Sequence, residues 1–212
     1  MWHVVVPVKP WNAAKKRLDL PEQGRRAIVR AMAADTLAAT ARCDLVGDLT
    51  VVAGADSLTR SPELAVAGRV LVQPDDIADL DTALSWALTQ LPTNTPWTAL
   101  MVADLPALTP EALSRALSSA TDGQDNPCMM VTDRHGSGTT LLTATTPASL
   151  TPRFGVDSAK RHRDLGVVPL SLGDAVSSLR CDVDTIDDLA VARTLGLGPR
   201  TRDVDVSLGS PT

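Results

Sequence analysis

The chain has no tyrosine and a single phenylalanine among its 212 residues; four tryptophans are its only other aromatics. So little aromatic surface offers no platform on which single-stranded bases would stack. An excess of positive charge is also missing. The formal net charge is −5, which excludes the broad basic face that nucleic-acid binding requires, although a local cationic pocket remains compatible with it. Cysteine is scarce: Cys43, Cys128 and Cys181 are odd in number and far apart. They form neither a zinc-like spacing nor a disulfide framework, and a reducing cytoplasm is the compartment they fit. No apolar run approaches the length of a membrane span, and Met1–Lys9 lacks the basic region and cleavage site of a signal peptide. Histidine is nearly absent as well. His3, His135 and His162 have no partner acids at a recognisable spacing, and there is no G-x-S-x-G elbow, so a Ser/His/Asp or Cys/His nucleophilic apparatus is not expected. His3 reads as a strand residue, the other two as surface or pocket-rim residues.

What is present is enough apolar material for one sizeable core, at 44% of residues. Short apolar runs alternate with helical patterns. Residues 3–8, 49–53, 69–72, 98–103, 128–131 and 139–143 read as buried strands, and Val167–Leu170 as an edge strand carrying Pro169. Between them, Val29, Met32, Ala33 and Leu37 share one helical face, as do Leu84, Ala87, Leu88 and Leu91, and Leu113, Ala116, Leu117 and Ala120. Expected N-terminal signals are Pro21, Asp81 or Thr82, Thr109-Pro110, Asp157 and Thr185. The last helix is expected to turn Ile186, Leu189 and Ala190 inward and to stop at Gly196. The alternation predicts a single-domain α/β fold with a mainly parallel central sheet flanked by helices, spanning residues 1–198. The polar, aperiodic residues 199–212 are expected to form a flexible C-terminal tail.

Four segments carry possible chemistry. Asp104 follows the run 98–103, where a buried strand ends, and open α/β sheets bind ligands at the carboxyl ends of strands. Asp182 and Asp184 alternate on a second extended run and so share one face. Three carboxylates from two distant segments would suit one hard divalent cation such as Mg²⁺, which leaves places for phosphate oxygens; helix capping by Asp184 and solvation of Asp182 explain the same pair. The loop from Lys9 to Leu18 follows the first strand, and Lys15 and Arg17 offer donors for triphosphate oxygens, but it lacks the glycines of a Walker loop and also reads as a solvated basic surface. Gly136-Ser137-Gly138-Thr139 combines backbone freedom with a hydroxyl; a plain hairpin turn accounts for it equally. Gly155 precedes a helix start where backbone N–H groups, with the N–H and hydroxyl of Ser158, would hold an anion; an ordinary Asp157-capped helix is the alternative.

In their order along the chain these segments resemble one family. Val6-Pro7-Val8-Lys9, Ala14-Lys15-Lys16-Arg17-Leu18, Asp104-Leu105-Pro106-Ala107-Leu108, Gly136–Thr140, Phe154–Ser158 and Cys181–Thr185 are similar to the phosphoenolpyruvate/2-phospholactate guanylyltransferases of deazaflavin coenzyme (factor 420) biosynthesis. The resemblance implies a nucleotide-diphospho-sugar-transferase-like fold. It implies GMP transfer from GTP onto phosphoenolpyruvate, with 2-phospho-L-lactate or another small phosphorylated acid as the alternative acceptor, and release of pyrophosphate. Asp104, Asp182 and Asp184 then match the Mg²⁺-holding acids, with Asp104 and Lys15 as catalytic residues. Thr139, Gly155 and Ser158 match the acceptor site, and Lys9, Lys15 and Arg17 the nucleotide-side loop. The next transferase of the pathway becomes a partner for a labile product. Two positions depart from the family's usual pattern: Leu80-Asp81 stands where Leu-Asn is common, and Ala103 where a glycine often precedes Asp-Leu-Pro. The different-class alternative is a non-catalytic nucleotide-binding protein on the same fold.

Overall fold

Seven strands make one sheet in the order β3-β2-β1-β4-β6-β5-β7. The computed structural model describes residues 1–8, 15–55, 57, 64, 68–77, 79–92, 94–122 and 128–207. The strands are β1 (Trp2–Val8), β2 (Val46–Ala53), β3 (Arg69–Val72), β4 (Thr98–Met101), β5 (Cys128–Thr132), β6 (Thr139–Ala144) and β7 (Val168–Pro169). The helices are α1 (Glu22–Ala41), α2 (Leu80–Thr89), α3 (Pro110–Asp122), α4 (Ser158–Asp164), α5 (Ser177–Arg180), α6 (Ile186–Leu195) and α7 (Pro199–Ser207). The β1–β2, β1–β4, β2–β3 and β5–β7 pairings are parallel. Only β6 runs against its neighbours, β4 and β5.

Alternation along β1 builds the layers. Val4 and Val6 face one side of the sheet, against Ile28 and Met32 of α1, Leu113 and Leu117 of α3 and Leu189 of α6. Val5 faces the other, with Leu84 and Leu88 of α2, Leu100, Phe154 and Ala159. Burying each such large side chain is worth roughly 1.5–3 kcal/mol, which is why the sheet is fixed in this register and no other.

Chain reversal at β6 matters for function. Because β6 is antiparallel, its first residue lies at the carboxyl ends of the parallel strands. The Val102 N–H donates to the Thr140 carbonyl at 3.1 Å, so Thr139 and Thr140 stand beside the end of β4. Asp104 lies three residues beyond β4 on the same edge.

Several local expectations are corrected. Asp79, not Asp81 or Thr82, caps α2 by accepting from the Thr82 N–H at 2.9 Å. Asp157 precedes α4 in a left-handed conformation (φ 54°) and makes no capping bond. In α6, Leu189 is inward as expected, but Ile186 and Ala190 are exposed; Asp188 and Ala192 take the inner face instead. The Thr185 cap and the stop at Gly196 (φ 98°) are as expected, the cap forming a reciprocal box with Asp188.

The flexible tail is not found through Ser207. Residues 199–207 form α7, which packs on α1. Its first turn is satisfied by a buried acid of α1: Asp35 accepts from the Thr201 N–H at 2.7 Å and the Arg200 N–H at 3.3 Å. Arg193 of α6 pairs with Asp205 at 2.7 Å through both Nε and Nη2. Polar composition disguised this helix, because its partners are carboxylates and not an apolar stripe. Residues 208–212 lie outside the described residues. Among the described residues no helix is long and apolar enough to cross a membrane.

Candidate active site

Two bonds from main-chain N–H groups put the three acids together. The Leu105 N–H donates to Thr36 Oγ1 of α1 at 3.0 Å, which fixes the turn after Asp104. The Val183 N–H donates to the Asp104 carbonyl at 3.0 Å, which lays Asp182-Val183-Asp184 alongside it. Val183 is fully buried, while Asp182 and Asp184 on either side of it are half-buried. The shared face inferred from their alternation is therefore present, with its complement in the core.

Lys15 closes the cluster. Its Nζ bonds both Asp104 Oδ2 and Asp184 Oδ1, and its side chain is only 13% exposed. Arg17 Nη2 reaches Asp184 Oδ2 at 2.6 Å from the solvent side. Burial alone would lower the Lys15 pKa, but the Asp104 and Asp184 carboxylates outweigh it and hold the ammonium well above its usual range. Asp182 is in the opposite position. Burial, then Asp104, push its carboxyl up to about 7; Lys15 offsets part of this, while Asp133 and Asp184 add to it. Negative charge is thus in local excess. Lys9 and the rest of 9–14 lie outside the described residues.

Among the described residues, Asp104 Oδ1 is buried with no hydrogen-bond partner. An unsatisfied buried carboxylate oxygen costs more than a solvated one, and a cation is the ligand that relieves it. The donor set, all carboxylate oxygen, matches a hard divalent ion. Among the described residues no three such side chains are already spaced to hold an ion; Lys15 stands between two of them. The acids fit such an ion by chemistry, with Lys15 as its competitor.

Next to the acids is a second wall. Asp133, buried at the end of β5, accepts from the Ser137 N–H at 2.9 Å and shapes the turn into β6. A Cβ on Gly138 would come 2.6 Å from Asp133 Oδ2, so this glycine permits that approach. The Ala159 N–H donates to the Ser137 carbonyl at 3.0 Å, which docks α4 against the turn. Thr139, Gly155 and Ser158 are thereby gathered into one region. Thr139 and Ser158 are nearly inaccessible, and Gly155 is exposed with φ 97°. The Ser158 N–H is not free for a ligand, because it donates to the Gly155 carbonyl at 3.1 Å.

Three residues have roles that their sequence context concealed. His162 is not at the surface: it is fully buried, with Nδ1 2.9 Å from Thr139 Oγ1 and Nε2 3.0 Å from the Arg153 nitrogen. The i, i+4 spacing of Ser158 and His162 was the available signal for a shared face. Asp81 accepts from the Phe154 N–H at 2.8 Å, joining α2 to the Gly155 loop. Asp188 pairs with Arg134 at 2.6 Å and also accepts from the Asp184 and Thr185 N–H groups. Burial would raise its pKa, but Arg134 and Thr185 hold it well below the usual carboxylate range. His3 is the strand residue expected, 2.8 Å from Thr50 Oγ1, and His135 is exposed, 3.6 Å from Asp188. A separate groove lined by Arg42, Asp44, Glu111, Arg115 and Asp122 shares no residue with this site.

An α/β sheet with one reversed strand, and acids plus a lysine at its carboxyl edge, defines a nucleotidyltransferase-type fold. A nucleotide-diphospho-sugar transferase structure from Desulfovibrio desulfuricans superposes with a TM-score of 0.70 at 21% identity, covering 98% of this chain and 96% of that one. A Mycobacterium tuberculosis protein solved in complex with manganese superposes with a TM-score of 0.57 at 20% identity, covering 90% and 96%. The family model described as guanylyl transferase CofC like matches residues 2–203, and the chain belongs to that family. It is 42% identical over 211 residues to the phosphoenolpyruvate guanylyltransferase of Streptomyces coelicolor, covering 98% of this chain and 97% of that protein.

Proposed function

We propose that this protein transfers GMP from GTP to phosphoenolpyruvate and releases pyrophosphate. The observation that carries the reading is the convergence of Asp104, Asp182 and Asp184 around Lys15, in a chain that aligns end to end with a phosphoenolpyruvate guanylyltransferase. In the reaction a phosphate oxygen of the acceptor attacks the α-phosphorus of GTP. The new P–O bond forms as the bond from the α-phosphorus to its bridging oxygen breaks, and pyrophosphate leaves. The attacking oxygen is already anionic near neutral pH, so no strong general base is needed. The site accordingly relies on position and charge.

Asp104, Asp182 and Asp184 would hold Mg²⁺, which when bound neutralises phosphate charge and steadies the leaving group. Lys15 and Arg17 neutralise the triphosphate from the nucleotide side, with Lys9 assigned to the same loop. Thr139, Gly155 and Ser158 hold the acceptor, through the two hydroxyls and the exposed Gly155 backbone. A cytoplasmic site of action is part of the same reading; it rests on three cysteines that are all free thiols. A following transferase would accept the labile product.

Pyrophosphate release from GTP, measured with Mg²⁺ and each acceptor in turn, tests the reading. Phosphoenolpyruvate is expected to give the highest kcat/KM. Preference for 2-phospho-L-lactate reassigns the acceptor, preference for CTP reassigns the base, and binding of GTP without turnover on any acceptor leaves a nucleotide-binding protein.

A further inference from the structure

We infer that His162 is a positioning residue of the acceptor site: its buried imidazole ties the Thr139 hydroxyl to the Arg153–Gly155 loop and commits that hydroxyl to donate toward the acceptor. The inference rests on the assignment of Thr139 and Gly155 to the acceptor and goes beyond it, to a side chain that touches neither substrate.

The ring's tautomer follows from its neighbours. The Arg153 main-chain N–H, 3.0 Å from Nε2, can only donate. Nε2 must therefore be the bare nitrogen, and the ring hydrogen sits on Nδ1. From there it donates to Thr139 Oγ1 at 2.9 Å. With one lone pair of Oγ1 taken, the Thr139 hydrogen is left to point elsewhere. Its contact within the protein is Met130 Sδ at 3.7 Å, a weak acceptor that a phosphate or carboxylate oxygen would displace. Neutrality of the ring is consistent with this arrangement: burial, with Arg161 and Arg153 nearby, lowers its pKa to about 4.

The same ring also sets the opposite wall. Arg153 is followed by Phe154, whose N–H goes to Asp81 Oδ1 at 2.8 Å and whose carbonyl accepts from Arg161 Nη2 at 2.6 Å. Edge-on contact between the His162 and Phe154 rings, with centroids 5.4 Å apart at 76°, adds packing. Every main-chain polar group from the Arg153 N–H to the Phe154 carbonyl that bears on this loop's position is thus engaged, apart from the Arg153 carbonyl. Among the described residues none accepts the Gly155 N–H. Among the described residues His162 is the one side chain bonded to both Thr139 and this loop.

Kinetics with phosphoenolpyruvate and GTP on four variants test the inference. His162→Phe keeps the ring but loses both bonds. It is expected to raise the KM for phosphoenolpyruvate by about tenfold to a hundredfold, the worth of a hydrogen bond to a charged group, and to leave the GTP KM within about twofold. His162→Asn keeps an N–H near the Nδ1 position and should recover most of the loss; His162→Gln, whose amide reaches the Nε2 position, should not. Equal effects of Asn and Gln, or equal rises in both KM values, overturn the inference. Thr139→Val is the control for the underlying assignment. If it raises the phosphoenolpyruvate KM while His162→Phe does not, His162 is dismissed and the acceptor site stands. If it has no effect, the acceptor assignment falls and the inference with it. The wild-type protein provides a test independent of variant folding. With three histidines in the chain, ¹⁵N-histidine NMR is expected to show His162 as the Nδ1–H tautomer and to show its resonances shifting with phosphoenolpyruvate more than with GTP. An Nε2–H tautomer overturns the inference.

Discussion

Lys15 occupies the place between Asp104 and Asp184 that a divalent ion would contest. An ammonium and a divalent ion cannot both be held there without mutual repulsion, which at about 4 Å is worth roughly 2–8 kcal/mol. Lys15→Met is therefore expected to strengthen Mn²⁺ binding to the nucleotide-free protein by about tenfold or more, read by electron paramagnetic resonance of free Mn²⁺, while lowering kcat. Unchanged Mn²⁺ affinity would mean that Lys15 does not compete for the ion. Asp104→Asn keeps the shape of the side chain but removes its charge. It is expected to reduce kcat by about a hundredfold or more, the scale of several kcal/mol of charge stabilisation, with the circular dichroism spectrum retained. At this scale the acids were legible because their spacing is a backbone property: alternation put Asp182 and Asp184 on one face whatever lay beneath. His162 and Asp188 were not legible, because the side chains they bond lie 23 and 54 positions away along the chain.

Among the elements, α7 has the least obvious reason to exist. Its polar sequence reads as a tail, yet it is anchored where the Asp104 turn is anchored. α1 supplies Thr36 to the Leu105 N–H and Asp35 to the first turn of α7, while the Gly198 N–H donates to the Pro106 carbonyl at 2.8 Å. Gly198 leaves no room for a side chain: a Cβ there would fall 2.4 Å from the Asp35 carboxyl carbon. Gly198→Ala is expected to cost about 1–3 kcal/mol, the usual penalty of overpacking, seen as a lower urea midpoint with unchanged m-value. An unaltered midpoint would show that Asp35 shifts freely and that α7 is loosely held. Strands and the large amphipathic helices were readable from period alone, since each buries a stripe or a face. The later helices α6 and α7 were misread in detail because capping bonds and ion pairs, not apolar period, hold them.

For the molecule as a whole, buried neutral His162 links folding to pH. The unfolded chain takes up a proton near pH 6.5, whereas the folded chain resists until about 4, so stability is full above 6.5 and is lost as pH falls through that window. Between pH 7 and pH 5 the loss is about 2 kcal/mol, and His162→Asn should remove that part of the slope in thermal melts; a slope equal to wild type would mean that other groups carry it. The fold class was legible because alternating strands and helices admit few arrangements, but the reversal of β6 was not, since a buried strand has the same composition in either direction. One consequence of the layout concerns synthesis. Lys15 meets an acid 169 positions later in the chain, and the Asp104 turn is braced from Gly198. A ribosome delivers the N-terminal strands and the Lys15 segment first. A chain released before Asp182 therefore lacks two of its three acids, and under the proposed assignment an aborted product would be inert toward GTP rather than a half-working enzyme that wastes it.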